Sequence, residues 1–199
     1  MTYDYHALVS VLSLVFGAIG YTLYFRSIFA GVTKPHIFTW VTYAIIDSIV
    51  FVAQVLKGAG PGAWALAFSV CACVLVSIIA LKKGEKQITV GDWACFLGAF
   101  VAIGFWLLTS NPLVAVVIAA LINVLALVPT FRKSYLRPQE ESLSTWIADI
   151  FKYGLSLFAL VSFNLTTALF PAAIVACNSV LVAMILIRRR QLAARNLMG

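Results

Sequence analysis

Displaced by 106 residues, this sequence aligns with itself without a gap. Phe25-Arg26 falls on Phe131-Arg132, and Thr39-Trp40 on Thr145-Trp146. Ala53 falls on Ala159, Val55 on Val161, Ala67 on Ala173 and Cys71 on Cys177. Val74-Leu75-Val76 falls on Val180-Leu181-Val182, and Ile79 on Ile185. These are 12 identities between residues 25 and 83. Chance in so apolar a chain gives roughly five. A duplicated chain is expected to fold as two like units, and duplicated membrane transporters hold their substrate between the copies.

Composition makes the membrane the solvent. The chain is 63% hydrophobic and 11% charged, with a mean hydropathy of +1.02, outside the range of soluble domains. A helix needs about 20 apolar residues to cross the bilayer core. Seven stretches meet or approach this: 6–25, 36–56, 63–81, 92–110, 113–131, 143–162 and 166–187. Their apolar runs are continuous rather than alternating, which excludes barrel strands. The start, Met1-Thr2-Tyr3-Asp4-Tyr5, has no basic region of a signal peptide, and the first repeat needs the first helix.

The expected fold is an all-α membrane protein with seven transmembrane helices. A first three-helix repeat (1–84) is followed by a linker helix (85–112), a second repeat (113–187) and a basic tail (188–199). One helix between two sets of three restores the chain direction, so the repeats are expected to be parallel. With the N-terminus outside, Arg26, Lys34, Lys82, Lys83, Lys86, Arg132, Lys133, Arg137, Arg188, Arg189, Arg190 and Arg195 fall inside, and only Lys57 outside. This bias sets the N-terminus outside and the C-terminus in the cytoplasm, with a bacterial inner membrane as the expected location. It also accounts for the net charge of +7 without nucleic acid. Arg188-Arg189-Arg190 reads as a stop at anionic headgroups. No Cys or His spacing resembles a metal site, and no cofactor is expected.

The layout resembles the SWEET sugar transporters and the wider PQ-loop superfamily. That family carries Pro-Gln near the end of each repeat's first helix, then a basic loop. The second copy here reads Val128-Pro129-Thr130-Phe131-Arg132-Lys133-Ser134, with Leu143-Ser144 after it. Thr130 stands for the Gln, and the first copy has Leu23-Tyr24 instead. Pro138-Gln139 lies nine residues beyond Pro129, in the loop. The resemblance implies transport by alternating access, a hinge at Pro129, and a site that includes Asn178, which matches the family's third-helix Asn. Its partner by offset is Ala72.

Polar groups within the spans point to function from the residues alone. A charge at mid-membrane costs at least about 2.5–3.5 kcal/mol, so it faces the bundle interior. Asp47 lies in the second span, and Asp149 and Lys152 in the sixth. The offset maps Asp47 onto Tyr153 and Tyr43 onto Asp149. Each helix therefore carries a Tyr and an Asp one turn apart, in swapped order. Asp47 lies roughly 16 Å along its helix, near the midplane, and Asp149 roughly 9 Å from its helix start.

Lys152 is spaced to pair with Asp149. One reading is a neutralising cluster in which Tyr153 or Tyr43 also donates to Asp47. The other makes Asp47, with no basic residue within a turn, a proton carrier. Asn123, Gln54 and Trp64 either line a cavity or satisfy one another. Trp40 and Trp146 are symmetric and stand at the inner helix ends, as interfacial anchors or as a gate.

The expected function is a transporter of a small polar solute, proton-coupled through Asp47 and Asp149, with the bilayer, the solute and protons as partners. A second copy of the chain remains a further candidate partner. A SWEET-like sugar uniporter and a non-transporting receptor or sorting protein are the alternatives. A retinal photoreceptor would need a lysine in the seventh helix, where none occurs. No nucleophile–base pair points to an enzyme.

Overall fold

Each backbone group in a bilayer must find its partner within the protein, and uninterrupted apolar runs meet that demand as helices. The computed structural model describes residues 2–33, 35, 37–84, 90–109, 111–141 and 143–198, and every regular element among them is helical. These are α1 (Thr2–Phe29), α2 (Ile37–Leu56), α3 (Trp64–Lys83), α4 (Val90–Thr109), α5 (Pro112–Leu136), α6 (Leu143–Phe158) and α7 (Leu165–Met198). Short 3-10 turns occupy Gly60–Ala63 and Pro138–Glu140. Lys34, His36, Lys86 and the side chains of Cys95, Pro129, Arg132, Lys133 and Arg195 lie outside the described residues.

Four stretches among the described residues are long and apolar enough to cross a membrane: Tyr5–Phe29, Thr39–Leu56, Gly60–Lys83 and Leu165–Ala194. Pro112–Leu127 is a shorter apolar stretch. α1 exposes Leu8, Val11, Leu12, Val15 and Ile19 along one face. An apolar stripe of this kind turned away from the protein is compatible with an integral membrane protein.

α3 packs against both α1 and α2, and α7 against both α5 and α6. The two sets meet where α1 lies on α6, the most extensive helix pair, and where α2 lies on α5. α4 rests on α2 and α5. Under the 106-residue offset these relations map onto one another, α1 on α5, α2 on α6 and α3 on α7.

Several helix limits differ from the sequence expectation: α1 (Thr2–Phe29) outruns 6–25 at both ends, α5 runs to Leu136 rather than 131, and α6 and α7 differ where contacts distant in sequence decide the end. α6 stops at Phe158 rather than continuing to 162. Its 16 residues span about 24 Å. The chain leaves the helix there because Val161 N–H donates to Ala59 O at 3.0 Å, tying this connection to the one that follows α2. Gly62 allows the approach, since a Cβ there would lie 2.8 Å from Leu160 N. α2 itself ends on Gly58, whose φ of 73° lets Ala59 N–H bond back to Gln54 O at 3.0 Å.

α7, in turn, does not end at 187. It continues through Arg188 and Arg189, whose guanidinium groups donate to backbone carbonyls of the α5–α6 connection. Arg188 Nε reaches Tyr135 O at 3.1 Å, and Arg189 Nη2 reaches Pro138 O at 3.0 Å and Glu141 O at 2.8 Å. Both arginines thus serve to latch the protein rather than only to face headgroups. Arg188 also lies 4.2 Å from the Tyr135 ring, and its counterpart region in the first copy places Lys83 4.8 Å from the Phe29 ring.

At its other end α7 is capped by Asn164, whose Oδ1 accepts from Thr166 N at 3.0 Å and Thr167 N at 3.2 Å. Pro171 sits inside α7 and has no N–H for the Thr167 carbonyl four residues back. Gln54 of α2 supplies the missing donor, its Nε2 lying 2.5 Å from Thr167 O. Gln54 is therefore structural and joins neither Asn123 nor Trp64, which is 41% exposed at the start of α3. Replacing Gln54→Leu leaves a buried carbonyl unsatisfied and should cost about 1–3 kcal/mol. The same change in a Pro171→Ala background should cost clearly less, because the helix then supplies its own donor. Thermal unfolding of the four proteins in detergent checks this; equal penalties in both backgrounds would refute it.

Candidate functional site

α1 presents Ser10, Ser13, Gly17, Gly20 and Tyr24 at spacings of three and four residues, one face of a helix. Small residues in such a stripe let helices approach closely within a membrane. A Cβ on Gly17 would lie 3.0 Å from Lys152 Cδ, and one on Gly20 3.3 Å from Ala148 Cβ. Ser13 Oγ donates to Lys152 O at 2.6 Å, and Phe16 stacks on Phe151 at 4.9 Å. This seam brings the Lys152 side chain into the interior.

Lys152 is 2% exposed and is surrounded by groups that compensate its charge. Its Nζ lies 2.7 Å from Asp149 Oδ1, so the spacing of these two residues does form an ion pair. It donates to Ser69 Oγ at 2.9 Å. The same ammonium stands 4.1 Å from the Tyr153 ring and 5.4 Å from the Tyr21 ring, within cation–π range. Asp149 Oδ2 accepts from Asn178 Nδ2 at 2.9 Å. The Tyr153 hydroxyl lies 3.1 Å from Ser69 Oγ, and no hydrogen bond joins Tyr153 to Asp47 among the described residues. Asp47 is 6% exposed and lies in the electrostatic reach of Lys152 and Asp149. No hydrogen bond or ion pair to it occurs among the described residues.

These groups line one cavity of about 200 Å³. It is roomy enough for several waters or one small solute. Trp40, Tyr43, Asp47, Asn123, Trp146, Asp149, Lys152, Tyr153 and Asn178 all lie on its wall. Asn123 is buried there without a side-chain hydrogen bond among the described residues. Sequence reasoning missed Phe16, Gly17, Gly20, Tyr21, Tyr24, Cys73 and Thr145 on the same wall. The small-residue stripe of α1 was the available signal for the glycines, and the tyrosines follow it on that face.

The rings form a continuous aromatic side. Trp40 lies 4.9 Å from Tyr24, 6.3 Å from Tyr21 and 6.1 Å from Tyr43, centroid to centroid. Across the cavity Trp146 Nε1 donates to Glu141 Oε2 at 3.4 Å. Trp40 and Trp146 therefore stand where the cavity nears the end of the bundle that carries Arg26 and Lys83. The opposite half is closed by an apolar core of Ile46, Val50, Ala53, Leu66, Val116, Ala119 and Phe170. Ala59, Ala63, Leu160 and Ala168 close it further out.

No cluster of three or more metal-ligating side chains occurs among the described residues. No family model, characterised protein or solved structure matches the chain.

The pair at the centre makes a stability prediction with a built-in asymmetry. Asp149→Asn strands a charge that is 2% exposed and should cost about 3–5 kcal/mol. Lys152→Met strands a carboxylate that is 29% exposed and keeps Asn178, so its cost should be smaller. The double variant should be more stable than Asp149→Asn alone. Denaturation in detergent micelles reads all three; a double variant as unstable as the sum of the singles would refute the coupling.

Proposed function

We propose that this protein is a multi-pass membrane transporter that moves a small polar solute by alternating access between two three-helix units. The observation that carries the reading is the cavity itself. It gathers Asp47, Asp149, Lys152 and Asn178 on a wall that is otherwise largely apolar and aromatic, it is built by helices from both halves of the duplication, and an apolar core closes one side of it.

The helix packing supports the finer architecture proposed here. Each set of three is ordered with its third helix in the middle, and α4 joins the sets from outside, as a parallel 3+1+3 arrangement requires. The SWEET and PQ-loop resemblance agrees with this layout. In the proposed topology the basic connections face the cytoplasm, so the cavity is described in an inward-facing state with its outer side closed. Solute passage then requires the two units to rock about the cavity, opening the seal between Ala59 and Val161 and closing Trp40 toward Trp146.

Asp47 is the proposed coupling group, with Asp149 held by Lys152. A carboxylate in the solute path that has no fixed counter-ion can exchange a proton as the units rock. The sugar reading has its own support, since Trp40, Trp146, Asn123 and Asn178 share the wall, and aromatic faces with amide groups suit a pyranose. Against it, Asn178 is engaged with Asp149.

The test is uptake into proteoliposomes, with a panel of amino acids, sugars and organic cations inside a defined pH gradient. Solute should accumulate when a proton gradient is imposed, and Asp47→Asn should abolish the gradient dependence while leaving the protein folded. Unchanged proton dependence in Asp47→Asn would remove Asp47 from the coupling, and no uptake of any solute would remove transport.

A further inference from the structure

The cavity already shows how it holds an ammonium group. Lys152 is neutralised by one carboxylate, Asp149, at 2.7 Å, by two tyrosine faces, and by the Ser69 hydroxyl at 2.9 Å. The duplication provides part of this arrangement a second time. Asp47 corresponds to Tyr153 and Tyr43 to Asp149, so α2 also offers an Asp and a Tyr one turn apart. Trp40, which corresponds to Trp146, lies tilted against Tyr24 at 4.9 Å and meets Tyr43 edge-on at 6.1 Å. The second set repeats neither the lysine nor Ser69 and Tyr21, whose counterparts are Val175 and Leu127. Ile46 occupies the position equivalent to Lys152 and is buried in the apolar core.

Charge agrees with this comparison. The cavity wall holds Asp47, Asp149 and Lys152 as its carboxylates and ammonium. Lys152 is committed to Asp149, and Asp47, 6% exposed, faces the cavity without an ion pair or hydrogen bond among the described residues. A buried carboxylate beside aromatic faces is the environment that recognises an organic cation.

We propose that the solute is a small organic ammonium, bound with its charge at Asp47 and its alkyl surface against Trp40, Tyr24 and Tyr43. This deepens the transporter reading and rests on the same cavity. The volume of about 200 Å³ suits a small ammonium with a few carbon atoms around the nitrogen. A neutral solute of equal shape gains the aromatic contact but leaves Asp47 without a counter-charge.

The experiment compares choline with 3,3-dimethylbutan-1-ol, which replaces the nitrogen by carbon at the same shape. Calorimetric titration of the purified full chain in detergent should detect choline and tetramethylammonium, with binding of the neutral alcohol at least about tenfold weaker. Asp47→Asn should weaken choline about tenfold or more, and Trp40→Leu should weaken it with the carboxylate intact. Equal binding of choline and the alcohol, or glucose binding with no choline binding, overturns the proposal without needing any variant.

Adding phosphatidylcholine separates a free solute from a lipid headgroup: it should leave choline binding unchanged, and displacement would overturn the free-solute assignment. The two readings also fail separately. Choline bound in detergent but not carried into proteoliposomes keeps the ammonium site and removes transport. A sugar carried while choline is not bound keeps transport and removes the ammonium site.

Discussion

A lysine ammonium between apolar helices must be neutralised where it stands, and the interior is arranged around that requirement at Lys152. Its compensation comes from four helices. α1 gives the glycine that admits its stem and the Tyr21 face, α3 gives Ser69, α6 gives Asp149 and Tyr153, and α7 positions Asp149 through Asn178. Moving any one of these helices independently would strip a partner from a buried charge, which costs several kcal/mol. The α1–α6 contact is accordingly the most extensive in the bundle, while α2 on α5, without such a charge, packs less extensively and is joined from outside by α4.

The duplication makes the consequences of single substitutions visible. Gly17 in α1 corresponds to Asn123 in α5, and Lys152 in α6 to Ile46 in α2. On one seam a missing Cβ makes room for a long cation. On the other an apolar side chain fills the core and an amide lines the cavity. Two changes on facing helices thus convert one copy's charge site into packing, and the cavity inherits one surplus carboxylate. The two halves of the scaffold therefore present different groups to the cavity they share.

Much of this was legible in the sequence. Continuous apolar runs marked the helices to within a few residues, because in hydrocarbon a helix has few alternatives. The Asp149–Lys152 pair followed from spacing alone, since three residues along a helix place two side chains together. The same logic gathered Tyr43, Asp47, Asp149 and Tyr153. What failed were features decided by contacts distant in sequence. Gln54 read either as a cavity residue or as a partner of Asn123 and Trp64, but Pro171, over a hundred residues away, had left the Thr167 carbonyl needing a donor. α6 looked four residues longer because Ala159 to Ser162 are not polar enough to signal an end; the backbone of Ala59 ends it. Arg188 and Arg189 read as headgroup anchors, yet carbonyls of the α5–α6 connection lie within their reach.

The hydrogen bonds that tie the bundle together fall into two kinds with different mechanical roles. Ser10 to Pro61, and Arg188 and Arg189 to the 135–141 segment, join helices belonging to the same half of the duplication. The Lys83–Phe29 and Arg188–Tyr135 stacks do the same at the basic end. These contacts make each set of three a stiff unit. Among the described residues, the bonds that cross between sets are Ser13 to Lys152, Lys152 to Ser69, Ser69 to Tyr153, Gln54 to Thr167 and Val161 to Ala59. They run from the middle of the bundle to the sealed end. In the proposed transporter, a rocking motion of these units would pivot at the Lys152 cluster, whose charge is too costly to uncover. It would have to break the two outermost bonds, Gln54 to Thr167 and Val161 to Ala59, before the apolar seal could part. The buried pair would in this sense be the fulcrum, and the connections after α2 and α6 the parts of the seal with least to hold them.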